Sequence, residues 1–216
     1  ARWDGSSWQR VAEGTNGVVY ALTVHDKQLI AGGAFTTTTG GPCNSIARRD
    51  ESGWHAMGGG MNNIVYAVTS YNGQVIAGGA FTSADGTACN RIARWDGTAW
   101  QPLGTGINGT VYALVVYNGQ LIAGGAFTSA GGTACSRIAR WDGTSWQPLD
   151  GGTNDTVTCL AVYGELLVAG GRFTTAGGVT CNRIACWNGS AWQPLGTGMN
   201  AEVNALTVHD GQLVAG

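Results

Sequence analysis

The chain has little charge and almost no lysine: of its eleven basic residues only Lys27 is a lysine, set against thirteen acidic ones. A formal charge of -2 leaves no basic field to attract nucleic acid or an anionic membrane, so a neutral or polar partner fits better. Proline is scarce too, with 4 residues beside 37 glycines, which excludes collagen and a loose linker. There is no apolar run long enough to cross a bilayer as a helix, and no basic leader followed by an apolar segment, so this stretch reads as soluble. The cysteines do not occur in the close local pairs of a zinc site. No window carries the apolar spacing of a helix, so the fold class is all-β.

What the chain does have is a repeat of 46 residues, the spacing that separates Trp54, Trp100, Trp146 and Trp192. Trp8 extends that series, and Trp3, Trp95, Trp141 and Trp187 form a second one in which Arg49 holds the remaining slot. A period in the forties without helical pattern predicts a propeller or an array of small sheets. Within one unit, Val111 to Val116 and Leu121 to Phe127 read as two strands around the hairpin-favouring pair Asn118-Gly119. Thr128 to Ser136, rich in glycine and threonine, reads as a longer loop. Arg137 to Trp141 and Trp146 to Leu149 then follow as third and fourth strands around Asp142-Gly143. Four antiparallel strands make one blade. The small run Ala123-Gly124-Gly125-Ala126 lets neighbouring backbone or a large aromatic approach closely, with Trp141 and Trp146 the expected fillers.

Four complete blades start near Val18, Val65, Val111 and Val157. Residues 203 to 216 supply the first two strands of another blade, and residues 1 to 11 the last two. Residues 1–216 therefore read as a single domain, a five-bladed β-propeller of four-stranded antiparallel blades whose last blade is completed by both termini. Joining the ends would remove exposed strand edges. Two other readings stay open: a fragment of a larger ring, and separate chains that oligomerise through their incomplete blade edges.

The stretches Leu121-Ile122-Ala123-Gly124-Gly125, Trp141-Asp142-Gly143 and Trp146 resemble a kelch-type propeller blade. The wider wording, with Phe127, Asn90-Arg91-Ile92-Ala93, Gly104-Thr105-Gly106 and Val111-Tyr112-Ala113-Leu114, resembles the repeats of Rax2-like cell-surface ectodomains. That resemblance implies an extracellular or cell-surface setting. Kelch-like propellers include oxidases, lectin-like domains and protein-binding platforms, so the resemblance is specific for fold and weak for function. The copper-binding pattern of the oxidases is not matched, because His25, His55 and His209 do not cluster with tyrosines. Neither a metal site nor a cofactor is expected.

Several features invite a functional reading. Gly104, Gly106 and Gly109 spell the dinucleotide-binding spacing, but they join antiparallel strands where that motif needs a parallel strand and a helix. Cys43, Cys89, Cys135 and Cys181 recur at the end of each long loop and read as small buried apolar residues. Arg48, Arg94 and Arg140 recur beside an aromatic position. They read either as buried hydrogen-bonded groups or as ligands for phosphate or sugar. Thr82, Ser83, Asp85, Thr128, Ser129 and Thr133 lie in the connections between second and third strands, on the same face as those between fourth and first strands. They offer neutral polar groups for contact or serve only to cap loops. Asn108, Asn154 and Asn188 begin N-glycosylation triplets, and Asp85, Asp155, Glu165 and Glu202 are acids confined to single blades.

No catalytic residues are assigned. The expected function is a non-catalytic binding or structural propeller that recognises protein or carbohydrate through its loop-rich face. One alternative is a hydrolase or lyase built from blade-specific polar residues. Another is a designed or selected scaffold without a native ligand.

Overall fold

The computed structural model describes residues 1–11 and 14–216. The protein is a β-propeller of repeated four-stranded antiparallel sheets. In the first complete blade Val18–His25 pairs with Gln28–Ala34, which pairs with Ile46–Asp50, which pairs with Gly53–Ala56. The second blade comprises Val65–Tyr71, Gln74–Gly79, Ile92–Trp95 and Trp100–Pro102. The third comprises Thr110–Tyr117, Gln120–Ala126, Ile138–Trp141 and Trp146–Pro148. In the fourth blade the strands are Val157–Tyr163, Leu166–Gly171, Ile184–Trp187 and Trp192–Pro194. First strands of successive blades pack on one another around an axis, and fourth strands lie outermost.

Each hairpin follows from its turn residues. Asn118 and Gly119 both have positive φ, 48° and 72°, as a tight turn matching the strand twist requires. At the next turn Asp142 Oδ1 accepts the backbone N–H groups of Thr144 and Ser145 at 2.9 and 2.8 Å, which closes the third and fourth strands.

The double glycine does admit a close backbone approach, but the side chain that fills the rest of its space is not a tryptophan. A Cβ on Gly124 would lie 2.6 Å from Cγ1 of Val157, on the first strand of the next blade. One on Gly125 would lie 2.0 Å from the Thr110 carbonyl oxygen of its own blade. The glycines thus admit a neighbouring valine and a bulged backbone, not the two tryptophans. Trp146 packs further out, where its Nε1 donates to the Leu103 carbonyl of the preceding blade at 3.1 Å. Trp100 and Trp192 repeat the bond, to Met57 and Leu149. Each blade is held to its neighbour by valine against glycine near the axis and by tryptophan at the rim.

The long loop also differs from expectation. It contains a miniature hairpin, Ser129–Ala130 against Thr133–Ala134, which recurs as Ser83–Ala84 against Thr87–Ala88 and as Thr175–Ala176 against Val179–Thr180. Two-residue strands are too short to show a sequence period. The first blade has the same hairpin, Thr37–Thr38 against Gly41–Pro42, the four loop cysteines are buried just after these four hairpins, and all six cysteines are free thiols.

The two terminal half-blades are separate two-stranded sheets, Arg2–Trp3 with Trp8–Gln9 and Leu206–His209 with Gln212–Ala215. The pairing that would merge them into one blade is not formed among the described residues. Trp3 and Trp8 are consequently exposed, as are Val18, Leu22 and Val24 on the open side of the first blade. Among the described residues no helix is long and apolar enough to cross a membrane.

Candidate functional site

The loop-rich face is built from two connections per blade that bond to each other. Met61 bridges Ala84 of the miniature hairpin, and Ile107 and Thr153 bridge Ala130 and Ala176 in the same way. One asparagine then ties the corner. Asn108 Oδ1 accepts the N–H groups of Thr128 and Ser129, both at 2.9 Å, while its Nδ2 donates to the Thr128 hydroxyl at 2.9 Å. Asn62 holds Thr82 and Ser83 likewise. The amides of Asn108 and Asn154 are committed to this clamp, so a glycan attached to either nitrogen would break it.

The clamp decides what the loop residues can offer. The hydroxyls of Thr82 and Thr128 already accept a hydrogen bond, so their first role is to hold the loop. Ser83 and Ser129 line grooves between blades. Asp85 stands in the first of these, with its carboxylate against Gly58 and Gly59 of the adjoining connection. Thr133 is exposed on the outer strand of its hairpin, and Gly132 beside it reaches the groove instead.

The grooves are equivalent by the repeat. The first, about 590 Å³, runs between Asn44 and the segment Gly59 to Asn62. The second, about 260 Å³, lies between Asn90 and Thr105 to Asn108, and another, about 390 Å³, between Asn182 and Thr197 to Asn200. Each lining is mostly uncharged polar groups and backbone around a shared apolar position, Met61, Ile107 or Met199, with one charged residue, Asp85, Arg91 or Arg183, and the first is also lined by Phe35 and Ile64.

The repeated arginines point elsewhere. Arg48 Nη1 donates to Gln28 Oε1 at 3.3 Å, near the tight turns of the opposite face, where Arg48 lines a cavity of about 360 Å³ with His25, Asp26 and Asp96. That face therefore has more room than its short turns imply. Arg94 is exposed, and Arg140 buries an Nε without a partner among the described residues, so the series shares no single environment. Arginines and loop hydroxyls do not converge.

Sequence reasoning missed the mouth of the axis. Tyr20, Tyr66 and Tyr112 occupy the same place on successive first strands and form a tilted ladder with ring centroids 5.1 Å apart at both steps. Partial burial, and then the neighbouring phenols, push the Tyr66 hydroxyl up from its ordinary value. The next two places hold Thr158 and Asn204. Here Arg172 Nε donates to Glu202 Oε1 at 2.8 Å across a cavity of about 420 Å³ that the tyrosines also line. Arg172 stands where the other blades have Ala34, Ala80 and Ala126, and Glu202 where they have Val18, Ile64, Thr110 and Thr156. Glu202 is recognisable as a blade-specific acid, but its partner emerges only when every repeat position is compared for its exception. Behind them Cys159 is buried, which pushes its thiol up to about 11 and leaves it a poor nucleophile.

Comparison with known proteins supports the architecture. A family model described as a domain of unknown function (DUF5122) β-propeller matches residues 72–95 and 118–141, the same stretch of the second and third blades. No curated protein matches the chain. Among solved structures, the WD40 β-propeller domain of Doa1 aligns with a TM-score of 0.63 at 17% identity, over 94% of this chain and 63% of that one. The computationally designed proteins Ika8 and Ika4 align with TM-scores of 0.59 and 0.51 at 18% and 19% identity. They cover 94% and 81% of this chain and 56% and 93% of theirs. The chain thus spans less than two thirds of the Ika8 and Doa1 chains. At these identities the likeness is one of fold: this chain shares the β-propeller architecture with them.

Proposed function

We propose that the protein is a non-catalytic binding propeller that recognises carbohydrate through its loop-rich face in an extracellular or cell-surface setting. The recurrence of one polar groove at three equivalent places in the repeat carries this reading, since equivalent pockets suit a ligand that itself repeats. The Rax2-like wording of the repeats supports the setting. A protein partner is the second reading, favoured by the exposed miniature hairpins, where Val179 is 43% exposed and Thr87 and Thr133 stand clear of the core. The proposal includes a ring of five blades. It is supported by the register of the complete blades, in which Leu29 lies opposite Arg49, because the corresponding residues Leu213 and Trp3 can pair likewise.

A glycan array probed with the intact chain tests the carbohydrate reading. Binding should weaken about tenfold in the double variant Thr105→Arg, Thr197→Arg, which crowds two grooves at exposed positions, and should survive Gln101→Ala on an outer strand. Failure to retain any glycan would remove the carbohydrate reading.

A further inference from the structure

Deepening the loop-face reading and resting on it, we infer that the axial mouth is a distinct single-copy site for a neutral saccharide, formed by the tyrosine ladder, Arg172, Glu202 and Asn204. The grooves recur, whereas this cavity exists once, because its polar residues are exceptions to the repeat. Its volume, about 420 Å³, is that of a small-molecule pocket.

The chemistry of the lining selects the ligand. A guanidinium offers only donors and a carboxylate only acceptors, so the pair together matches sugar hydroxyls, which need both. Arg172 is 60% exposed and binds Glu202 through Nε, which leaves its terminal nitrogens available. The Asn204 amide is exposed beside them and adds one more acceptor and two donors. Tyr66 and Tyr112 are half-buried and supply apolar ring surface with a hydroxyl at the edge, which suits the C–H face of a sugar.

Charge argues against other ligands. Glu202 pairs with Arg172 at 2.8 Å and Asp155 adds a weaker negative field, so an anion gains no net attraction. A cation would compete with Arg172, which already occupies the position beside the Glu202 carboxylate. The Thr158 hydroxyl gives its one proton to the Val203 carbonyl, with the Gly170 carbonyl a longer second acceptor, so it can offer a ligand only an acceptor.

Calorimetric titration of the full chain with neutral malto-, cello-, manno-, xylo- and N-acetylchito-oligosaccharides, with oligogalacturonate as the anionic arm, tests the assignment. One neutral series should show a component of one site per chain, separate from binding at the grooves. The double variant Arg172→Ala, Glu202→Thr and the single variant Tyr112→Thr should each weaken it at least tenfold. These substitutions install residues that the repeat itself carries at equivalent positions, and an unchanged melting temperature identifies a folded variant. Neutral binding that ignores these variants but fails in Thr105→Arg, Thr197→Arg would overturn the axial site and leave the loop-face reading intact. Binding of oligogalacturonate alone would overturn the neutral class, and absence of any oligosaccharide binding would remove both.

Discussion

Trp146 and Trp8 hold the same place in the repeat, yet Trp146 is 1% exposed and Trp8 is 69% exposed. Their immediate surroundings hardly differ. Trp8 sits 5.7 Å from Trp3, centroid to centroid, and Trp146 sits 5.4 Å from Trp141 at nearly the same tilt. The pairing of two tryptophans across a hairpin is therefore a local property of the sequence, whereas burial comes from the neighbouring blade. The carbonyl of Leu103 that Trp146 finds has no counterpart at Trp8 among the described residues. Such separation of intrinsic unit from interface is what a nearest-neighbour array produces.

Mutation should expose the contrast most strongly at these tryptophans. Trp146→Ala removes a fully buried aromatic side chain and a hydrogen bond to the preceding blade, and should cost about 3–5 kcal/mol in chemical denaturation. Trp8→Ala should stay within about 0.5 kcal/mol if the half-blade stands free with Trp8 exposed, an outcome that would remove the proposed ring of five. Should Trp8→Ala cost as much as Trp146→Ala, the amino-terminal half-blade would be docked in solution, as the five-bladed ring requires.

The glycines give a second contrast, with a smaller effect. Gly124→Ala drives a methyl into Val157 of the next blade and should destabilise by about 1–3 kcal/mol, because both elements are fixed by their strands. Gly216 is the corresponding glycine of the terminal hairpin and has nothing within 4 Å of an added Cβ. Gly216→Ala should leave the midpoint of a urea melt unchanged. A measurable loss would place another strand against that hairpin.

The same division explains what the sequence made legible. Strand ends fall within a residue or so of expectation, Thr110–Tyr117 against Val111 to Val116 for instance, because turn residues and alternation are local. The propeller itself was readable because near-identical units must solve the packing problem the same way each time. Contacts between blades were not readable: the valine that fills the glycine gap lies 33 residues beyond it, at Gly124 and Val157, and the spacing that announces the repeat does not say which side chains meet. The miniature hairpins escaped for want of length. Arg172 escaped because a search for recurring residues hides a site made of exceptions, and two of the loop threonines, Thr82 and Thr128, proved to be held by Asn62 and Asn108.

Acid titration gives the smallest effect and the sharpest comparison, because it separates local structure from docking at one terminus. Asp96 is held at about 2 by the N–H groups of Ala99 and Thr98, and then by the Thr98 hydroxyl. Asp4 is held below the usual carboxylate range by Ser6 and Ser7 in the equivalent turn. A carboxylate lowered in the folded state contributes stability that is complete above its unfolded value near 4 and is lost as pH falls towards 2. Both groups are exposed, so the loss is small. In the fourth blade Asn188 occupies this place, accepting the N–H groups of Ser190 and Ala191 at 2.9 Å each, and an amide does not titrate. Asp96→Asn should therefore keep the turn and flatten the fall in melting temperature between pH 4 and pH 2. For Asp4 two readouts separate: its carboxyl, followed by NMR, should titrate low because the turn is local, while Asp4→Asn should leave the global acid melt unchanged if the half-blade stands free. A global melt that responds to Asp4→Asn as it does to Asp96→Asn would mean that the amino-terminal turn unfolds with the propeller, and that its half-blade is part of the cooperative ring.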